Sequence, residues 1–304
     1  MDERARAMAE LDDPELASYF YLDVPTEKLM AKLDALELKP DALTKEMPFN
    51  AAVKGYSGAL DGHGHPWILK PVASEEEARF HRSCALAYLI DHATGTLAAP
   101  TSVCRMNGEM FRITKVVRKS VQISSYDYLD QPYIEILRAD LVNRWLFFDE
   151  DRNPNNYLVI HNAKGKPFVV AIDYDKSDLS SEAMKITGNP DKFGWFRGEK
   201  TRFLTLLKPS NFEGVSIESF DARLKAVCAL DESWLASLSR KTLSGYADQA
   251  YADLLSANIV KRRAYIDEYF RRMFKAASDT ADIRHGEDYA AFGDSFRNIY
   301  KNKN

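Results

Sequence analysis

Residues 149–175 read DEDRNPNNYLVIHNAKGKPFVVAIDYD, and this segment carries the strongest structural signal in the chain. Two short apolar runs are separated by an Asn-Ala-Lys-Gly turn, which predicts a β-hairpin with strands over residues 157–161 and 168–172. Acidic and amide side chains lie immediately before the first strand and immediately after the second. Because the strands of a hairpin are antiparallel, these polar groups are expected to meet at one end of it.

Three of these polar side chains have a spacing suited to phosphoryl transfer. Asp151 and Asn156 lie five residues apart in a loop, so the carboxylate can face an attacking hydroxyl while the amide oxygen faces a metal ion. Asp173 is expected beside Asn156, across the hairpin. One carboxylate and one amide oxygen, completed by phosphate oxygens and water, suit the octahedral coordination of Mg²⁺. Taken alone, the loop also fits an ordinary Asn/Pro turn that needs no ligand.

Residues upstream offer a cation for the phosphates. Lys70 ends the apolar run PWILKP, where strand alternation directs its ammonium inward, toward an α- or β-phosphate. Glu77 in the following helix is the candidate ion-pair partner of Lys70, with Glu75 and Glu76 as alternatives. Glu77 also forms a capping-box pattern with Ser74, which predicts the start of this helix.

A glycine turn precedes the lysine. In the sequence GYSG, Gly55 and Gly58 flank Ser57, and the absence of their side chains would let backbone N–H groups approach phosphate oxygens. The spacing is common, so this motif is weak evidence when taken by itself.

The order of elements predicts an α+β protein in which a small strand-rich part with one helix precedes a larger helical part. The acidic hairpin opens the helical part. The predicted segments are a helical extension, a strand-rich lobe, a helical lobe and a C-terminal tail: residues 1–45, 46–118, 119–277 and 278–304.

Taken together over residues 49–175, the motifs GYSG, WILKP, EEEA, DRNPNN and AIDYD resemble those of atypical protein-kinase-like enzymes, namely the HipA-like and phosphoinositide 3/4-kinase-like families. The resemblance implies a bilobal fold with ATP and Mg²⁺ between a small strand-rich N-lobe and a larger helical C-lobe. One departure is Asp175, which replaces the glycine of the metal motif and offers a second metal ligand. Another is the lack of a His-Arg pair before Asp151.

The resemblance also implies roles for individual residues. Lys70 would bind the ATP phosphates, Glu77 would orient Lys70, and Asp151 would be the catalytic base, although the neighbouring Asp149 and Glu150 keep the choice of base open. Metal binding would fall to three residues: Asn156, Asp173 and Asp175. Nucleotide contacts would come from the glycine turn and from the segment that follows the strand-rich lobe: Gly55, Ser57, Gly58, Lys115, Val116 and Val117.

These features predict an ATP- and Mg²⁺-dependent phosphotransferase, specifically a HipA-like Ser/Thr kinase that transfers the γ-phosphoryl group to a hydroxyl of a protein substrate. Autophosphorylation of Ser57 is a further hypothesis. Two alternatives stay open. A lipid or small-molecule kinase of the same fold is favoured if the basic residues between 176 and 200 form an anion pocket. A catalytically silent, nucleotide-binding scaffold is the other.

Composition limits the possible partners and compartment. The chain has 304 residues, and its 41 basic and 45 acidic side chains give a net charge of −4, which predicts no general attraction to nucleic acid. The N-terminus lacks a secretory-signal pattern, and no apolar run is long enough to cross a bilayer. We therefore expect a soluble cytoplasmic protein with no membrane span and no nucleic-acid partner.

Overall fold

The computed structural model describes residues 3–41, 55–128, 130–149, 154–180 and 218–281. The chain divides into two compact units. The first comprises Met1–Asp127, Asn155–Asp175 and Glu232–Ser256. The second comprises Tyr128–Pro154, Lys176–Asp231 and Ala257–Asn304. Both units are discontinuous along the chain, whereas the predicted lobes are contiguous, and the boundaries of those lobes stay a prediction.

The first unit begins with three helices, α1 (Glu3–Leu11), α2 (Pro14–Tyr19) and α3 (Thr26–Asp34). The segment 1–45, predicted as a helical extension, contains these three helices and also a strand that was not expected, β1 at Lys39–Asp41. Pro40 explains the change, since proline lacks the N–H that a helix interior needs but is tolerated in an edge strand.

Strand β1 lies at the edge of a five-stranded antiparallel sheet. The other strands of this sheet are β2 (Ser57–Leu60), β3 (Pro66–Pro71), β4 (Thr101–Met106) and β5 (Glu109–Lys115). Their spatial order is β1-β2-β3-β5-β4. Helix α4 (Glu75–Ala93) connects β3 to β4. Its buried residues extend around the whole helix, as expected for a helix enclosed by other elements.

A second sheet contains the predicted hairpin. Its strands are β6 (Val121–Gln122), β7 (Tyr157–His161) and β8 (Pro167–Ala171), in the order β6-β7-β8. Ala171 at the end of β8 forms a parallel bridge with Ala98, with hydrogen bonds from Ala99 N to Ala171 O and from Ala171 N to Leu97 O, both 2.9 Å. This bridge holds the end of the hairpin against the chain that enters β4, and so brings residues 172–175 to the five-stranded sheet.

The described helices of the remaining chain are α5 (Tyr133–Phe147), α6 (Glu218–Cys228), α7 (Glu232–Leu243) and α8 (Gln249–Ala281). Helix α5 matches the periodicity of the sequence, since Ile134, Leu137, Leu141 and Trp145 are all buried. The predicted α+β class, strand-rich first and helical afterwards, is confirmed. None of the helices in the described ranges is both long and apolar enough to cross a membrane.

Arg82 of α4 joins several elements of the first unit. Its side chain is 1% exposed and donates to both carboxylate oxygens of Asp34 on α3, at 2.6 and 2.7 Å. It also donates to Ser102 Oγ of β4 at 2.7 Å and to Thr242 O of α7 at 2.6 Å. One buried guanidinium therefore ties α3, β4 and α7 to α4.

Candidate active site

Two cations of the five-stranded sheet meet the carboxylates that follow β8. Lys70 of β3 and Arg112 of β5 are direct cross-strand partners, so their side chains leave the same face of the sheet. Lys70 Nζ lies 2.9 Å from Asp175 Oδ2. Arg112 forms an ion pair with Asp175 Oδ1 and donates from Nη2 to Asp173 Oδ1 at 3.1 Å. All four residues belong to the first unit, and they form one charged cluster.

Lys70 and Asp175 favour each other's charged forms. Burial by itself would raise the pKa of Asp175, but the nearby charges of Arg112 and Lys70 outweigh it and hold the pKa below its usual value. Burial would likewise lower the pKa of Lys70, and the hydrogen bond and charge of Asp175 reverse the direction and raise it. Each charge thus stabilises the opposite charge beside it.

Asp173 has an unusual backbone. Its φ is 60°, in the left-handed region that only Gly, Asn and Asp enter readily. The N–H of Asp175 donates to Asp173 Oδ1 at 3.3 Å, which stabilises this local turn. On the opposite strand, Asn156 O accepts a hydrogen bond from Ile172 N at 3.0 Å, so Asn156 and Asp173 lie at the same end of the hairpin. Non-glycine residues held in this region are concentrated at functional sites.

Tyr174 separates the two carboxylates and points elsewhere. It is 1% exposed, and its hydroxyl donates to Asp91 Oδ2 of α4 at 2.5 Å. Its ring packs edge-on against Tyr88 of the same helix. Tyr174 thus anchors the Asp-Tyr-Asp segment to α4 while Asp173 and Asp175 meet the sheet cations.

Replacing Tyr174 with phenylalanine should lower the free energy of unfolding by about 2 kcal/mol, because a buried hydrogen bond to a carboxylate is lost. Tyr88→Phe is a matched control. The Tyr88 hydroxyl is buried and has no hydrogen-bond partner among the described residues, so its removal should cost little. Urea unfolding of both variants measures the difference. Equal losses in the two would show that the Tyr174–Asp91 bond contributes nothing.

Glu77 has a different role from the one predicted. Its N–H donates to Ser74 Oγ at 3.1 Å, which confirms the predicted helix start, and its Oε2 accepts from Ala73 N at 2.7 Å. The Glu77 carboxylate therefore accepts from the backbone just before α4, while Ser74 Oγ accepts from a first-turn N–H that has no partner within the helix. The carboxylate that pairs with Lys70 is that of Asp175 and not that of Glu77, because the hairpin delivers Asp175 directly to β3.

Two members of the cluster were missed by sequence reasoning, Arg112 and His81. His81 of α4 is 5% exposed and lies 3.5 Å from both Asp175 Oδ1 and Glu77 Oε1. Burial lowers the pKa of His81, against the opposing charge of Asp175. Arg112 did carry a signal, since it is a charged residue inside the apolar run MFRIT. Its position opposite Lys70 follows only from the pairing of β5 with β3.

The GYSG motif only partly forms a turn. Gly55 lies in a turn with φ 72°, as glycine readily allows. Ser57 and Gly58, in contrast, belong to β2, where Gly58 is paired with Ile68 of β3 on one side and Asp41 of β1 on the other. The expectation that all three residues line a phosphate-binding turn is corrected for Gly58, whose backbone groups lie between two neighbouring strands.

The segment predicted to contact adenine is bonded within the first unit. Lys115 N donates to Pro100 O at 2.8 Å, and Val116 N donates to Pro66 O at 2.9 Å. The hydroxyl of Tyr19 donates to Val116 O. An adenine base would have to replace one of these bonds or use Val117. The nucleotide contact of residues 115–117 stays a prediction.

The side chain of Lys115 is buried among aromatic rings. It is 1% exposed, its Nζ donates to Tyr19 O at 2.9 Å, and it lies 4.1 Å from the ring centroid of Tyr19 and 4.5 Å from that of Tyr21. Burial lowers its pKa from 10.5 to about 8. The rings favour the cation, but they do not replace the water that it has lost.

Lys115→Met should raise the free energy of unfolding by about 2 kcal/mol at pH 7, because each unit of the lowered pKa corresponds to about 1.4 kcal/mol and the ring contacts offset part of it. Between pH 8 and 10.5 the unfolded chain holds a proton that folded Lys115 has lost, so the stability of the wild type rises with pH in this window. The advantage of the variant should therefore shrink by pH 10.5. Urea unfolding at both ends of this pH window measures the difference in free energy of unfolding between the variant and the wild type. A difference that does not change with pH would contradict the lowered pKa of Lys115.

The predicted catalytic base, Asp151, lies outside the described residues, as does Glu150. Asp149, the other acidic residue there, is fully buried in the second unit, where Ser177 Oγ donates to its carboxylate at 3.2 Å and Arg144 lies 3.5 Å away. A carboxylate so enclosed is poorly placed to receive a proton from a substrate.

The chain has also been compared with known proteins. A similar arrangement of elements occurs in the crystal structure of the proinflammatory kinase CtkA of Helicobacter pylori, with a TM-score of 0.48 and 12% sequence identity. The match covers 80% of this chain and 98% of that one. At this level, the likeness shows neither the family nor the activity of the chain. No model of a known protein family and no curated protein matches it.

Proposed function

We propose that this chain is an ATP- and Mg²⁺-dependent phosphotransferase, and specifically a HipA-like Ser/Thr protein kinase. The observation that carries the proposal is the ion pair between Lys70 and Asp175. It joins a cation of the five-stranded sheet to the acidic segment after the hairpin, which are the two parts that must act on one triphosphate. Phosphoryl transfer needs this convergence because its catalysis is mainly positioning and electrostatic stabilisation.

The residues present fit a magnesium ion. Asp173 and Asp175 offer carboxylate oxygens, and Asn156 at the same end of the hairpin offers an amide oxygen, all hard ligands of the kind Mg²⁺ prefers. Among the described residues, no three His, Cys, Asp or Glu side chains are grouped as a metal cage. The remaining ligands would be phosphate oxygens and water, as is usual for this ion. Bound Mg²⁺ would neutralise negative charge on the phosphates.

The other residues then have defined tasks. Lys70 would hold a phosphate oxygen, and its position on β3 and its ion pair with Asp175 keep the ammonium beside the acidic segment. Asp151 would receive the proton of the acceptor hydroxyl, a role supported by its spacing of five residues from Asn156. Position and charge supply most of the rate enhancement in this reaction class.

A transfer assay tests the proposal. The full chain is incubated with Mg²⁺ and ATP labelled in the γ-phosphate, against a panel of proteins, inositides and sugars. We expect label in serine or threonine of a protein, and a loss of about 100- to 10,000-fold in Asp151→Asn. Asp127→Asn, an exposed site, is the matched control.

The other outcomes of the transfer assay would favour the alternative functions. Label in inositides or sugars alone would replace the protein-kinase proposal with the small-molecule alternative. A thermal shift with ATP and Mg²⁺ but no transfer, autophosphorylation or hydrolysis would favour the catalytically silent scaffold. Mass spectrometry of the same sample also tests Ser57, and an unmodified Ser57 in an active preparation would end the autophosphorylation hypothesis.

A further inference from the structure

The cluster contains one more buried cation than the proposed function uses. Arg112 is only 8% exposed, and it is the direct cross-strand partner of Lys70. Both cations reach the same carboxylate, that of Asp175, from adjacent strands. A buried arginine is costly unless it is paired, so this position is unfavourable without an anion.

The anion in this place belongs to the chain itself. Asp175 Oδ2 meets Lys70 and Asp175 Oδ1 meets Arg112, so the two oxygens of one carboxylate each face one cation. A phosphate group presents its oxygens to cations in the same manner, and the planar fork of arginine suits it well. Asp175 thus occupies the position that a phosphate of the ligand would need.

His81 gives an independent indication that the cluster accepts a ligand. The ring is buried, and both of its nitrogens lie 3.5 Å from carboxylate oxygens, too far for a good hydrogen bond. Neither nitrogen has a hydrogen-bond partner in the described part of the chain. Buried polar atoms are normally bonded, so an unpartnered imidazole that faces Asp175 points to an oxygen that is supplied from outside.

We propose that Lys70 and Arg112 together form a two-cation subsite for a polyphosphate chain, and that Asp175 occupies this subsite until the ligand displaces it. The inference rests on the proposed function and adds to it a second phosphate-binding residue and an internal competitor. When Asp175 turns toward a metal ion together with Asp173, which also accepts from Arg112, both cations become available to the phosphates. Removal of the Asp175 carboxylate should therefore strengthen polyphosphate binding, whereas removal of the Arg112 guanidinium should weaken it.

Inorganic tripolyphosphate is the probe, and its binding to the full chain is measured by calorimetry in EDTA at physiological ionic strength, where exposed charges are largely screened. Arg112→Gln should weaken binding roughly tenfold or more, because the charge and the fork are lost. Asp175→Asn should strengthen it severalfold. Arg105→Gln on β4, which breaks the exposed pair with Glu75 of α4, is the matched control and should leave binding unchanged.

Circular dichroism checks the fold of each variant, and Arg112→Lys, which keeps the charge without the fork, should give an intermediate affinity if Arg112→Gln does not fold. Wild-type affinity in Arg112→Gln or Arg112→Lys, weaker binding in Asp175→Asn, or no binding by the wild type would each overturn the subsite. The calorimetric assay measures binding and does not measure phosphoryl transfer. Failure of the proposed function would instead appear as tripolyphosphate binding by a chain that transfers no phosphoryl group.

Discussion

Lys70→Met should lower the rate of phosphoryl transfer by about 100- to 1,000-fold while leaving the protein folded, because one preorganised charge on the phosphates is removed. Lys70 is only partly buried, and Asp175 keeps Arg112 as its cation in the variant. The loss should therefore appear in the rate of transfer rather than in stability. Initial rates with labelled ATP, together with circular dichroism, measure both.

Lys39→Met provides the control for this prediction. Lys39 is an exposed residue of β1 in the same sheet, so the same change of side chain should alter the rate less than twofold. A rate for Lys70→Met within a few-fold of the wild type would remove Lys70 from the catalytic apparatus, and with it the main support for the proposed reaction.

Asp34→Ala should lower the free energy of unfolding by about 3 kcal/mol, because Arg82 would keep its charge in the protein interior without a carboxylate. Arg82 is 1% exposed, and Asp34 is the carboxylate that it contacts in the described structure. Its other acceptors, Ser102 Oγ, Val103 O and Thr242 O, are neutral. Urea unfolding at constant m-value measures the change.

The double variant Asp34→Ala/Arg82→Met distinguishes a buried charge from a lost contact. An apolar residue in place of the guanidinium removes the unpaired charge, so the double variant should be more stable than Asp34→Ala alone. Glu75→Ala, which breaks the exposed pair with Arg105, should cost far less stability than Asp34→Ala. A double variant that is less stable than Asp34→Ala would mean that the packing contacts of the Arg82 side chain contribute more to stability than its unpaired charge costs.

Much of the fold could be predicted from local patterns. The β7 strand, the start of α4 at Ser74 and the buried face of α5 follow from apolar periodicity and capping, because these signals act over a few residues. Strand β1 and the position of Gly58 within β2 could not be predicted in the same way. They depend on pairing with other strands, which proline and glycine permit but do not specify.

The sequence motifs of the candidate site could be predicted, but the ion pairs between its residues could not. Lys70 and Asp173 were proposed from their positions at the ends of apolar runs, and Asp175 was proposed from the resemblance of its segment to a metal motif. The carboxylate partner of Lys70 lies 105 residues away, beyond the reach of any local rule, whereas the nearer Glu77 was already used by the helix start. Arg112 and His81 escaped notice for the same reason, since their neighbours come from distant parts of the chain.

The bridge between Ala98 and Ala171 has a consequence for folding fidelity. Asp173 and Asp175 meet the sheet cations while Tyr174 packs against Tyr88, so a slip of one residue at this bridge would move all three side chains away from these partners. Such a misaligned form would leave the buried Arg112 guanidinium without its carboxylates, which is unfavourable. The Asp-Tyr-Asp order thus favours one alignment of the hairpin with the chain that enters β4.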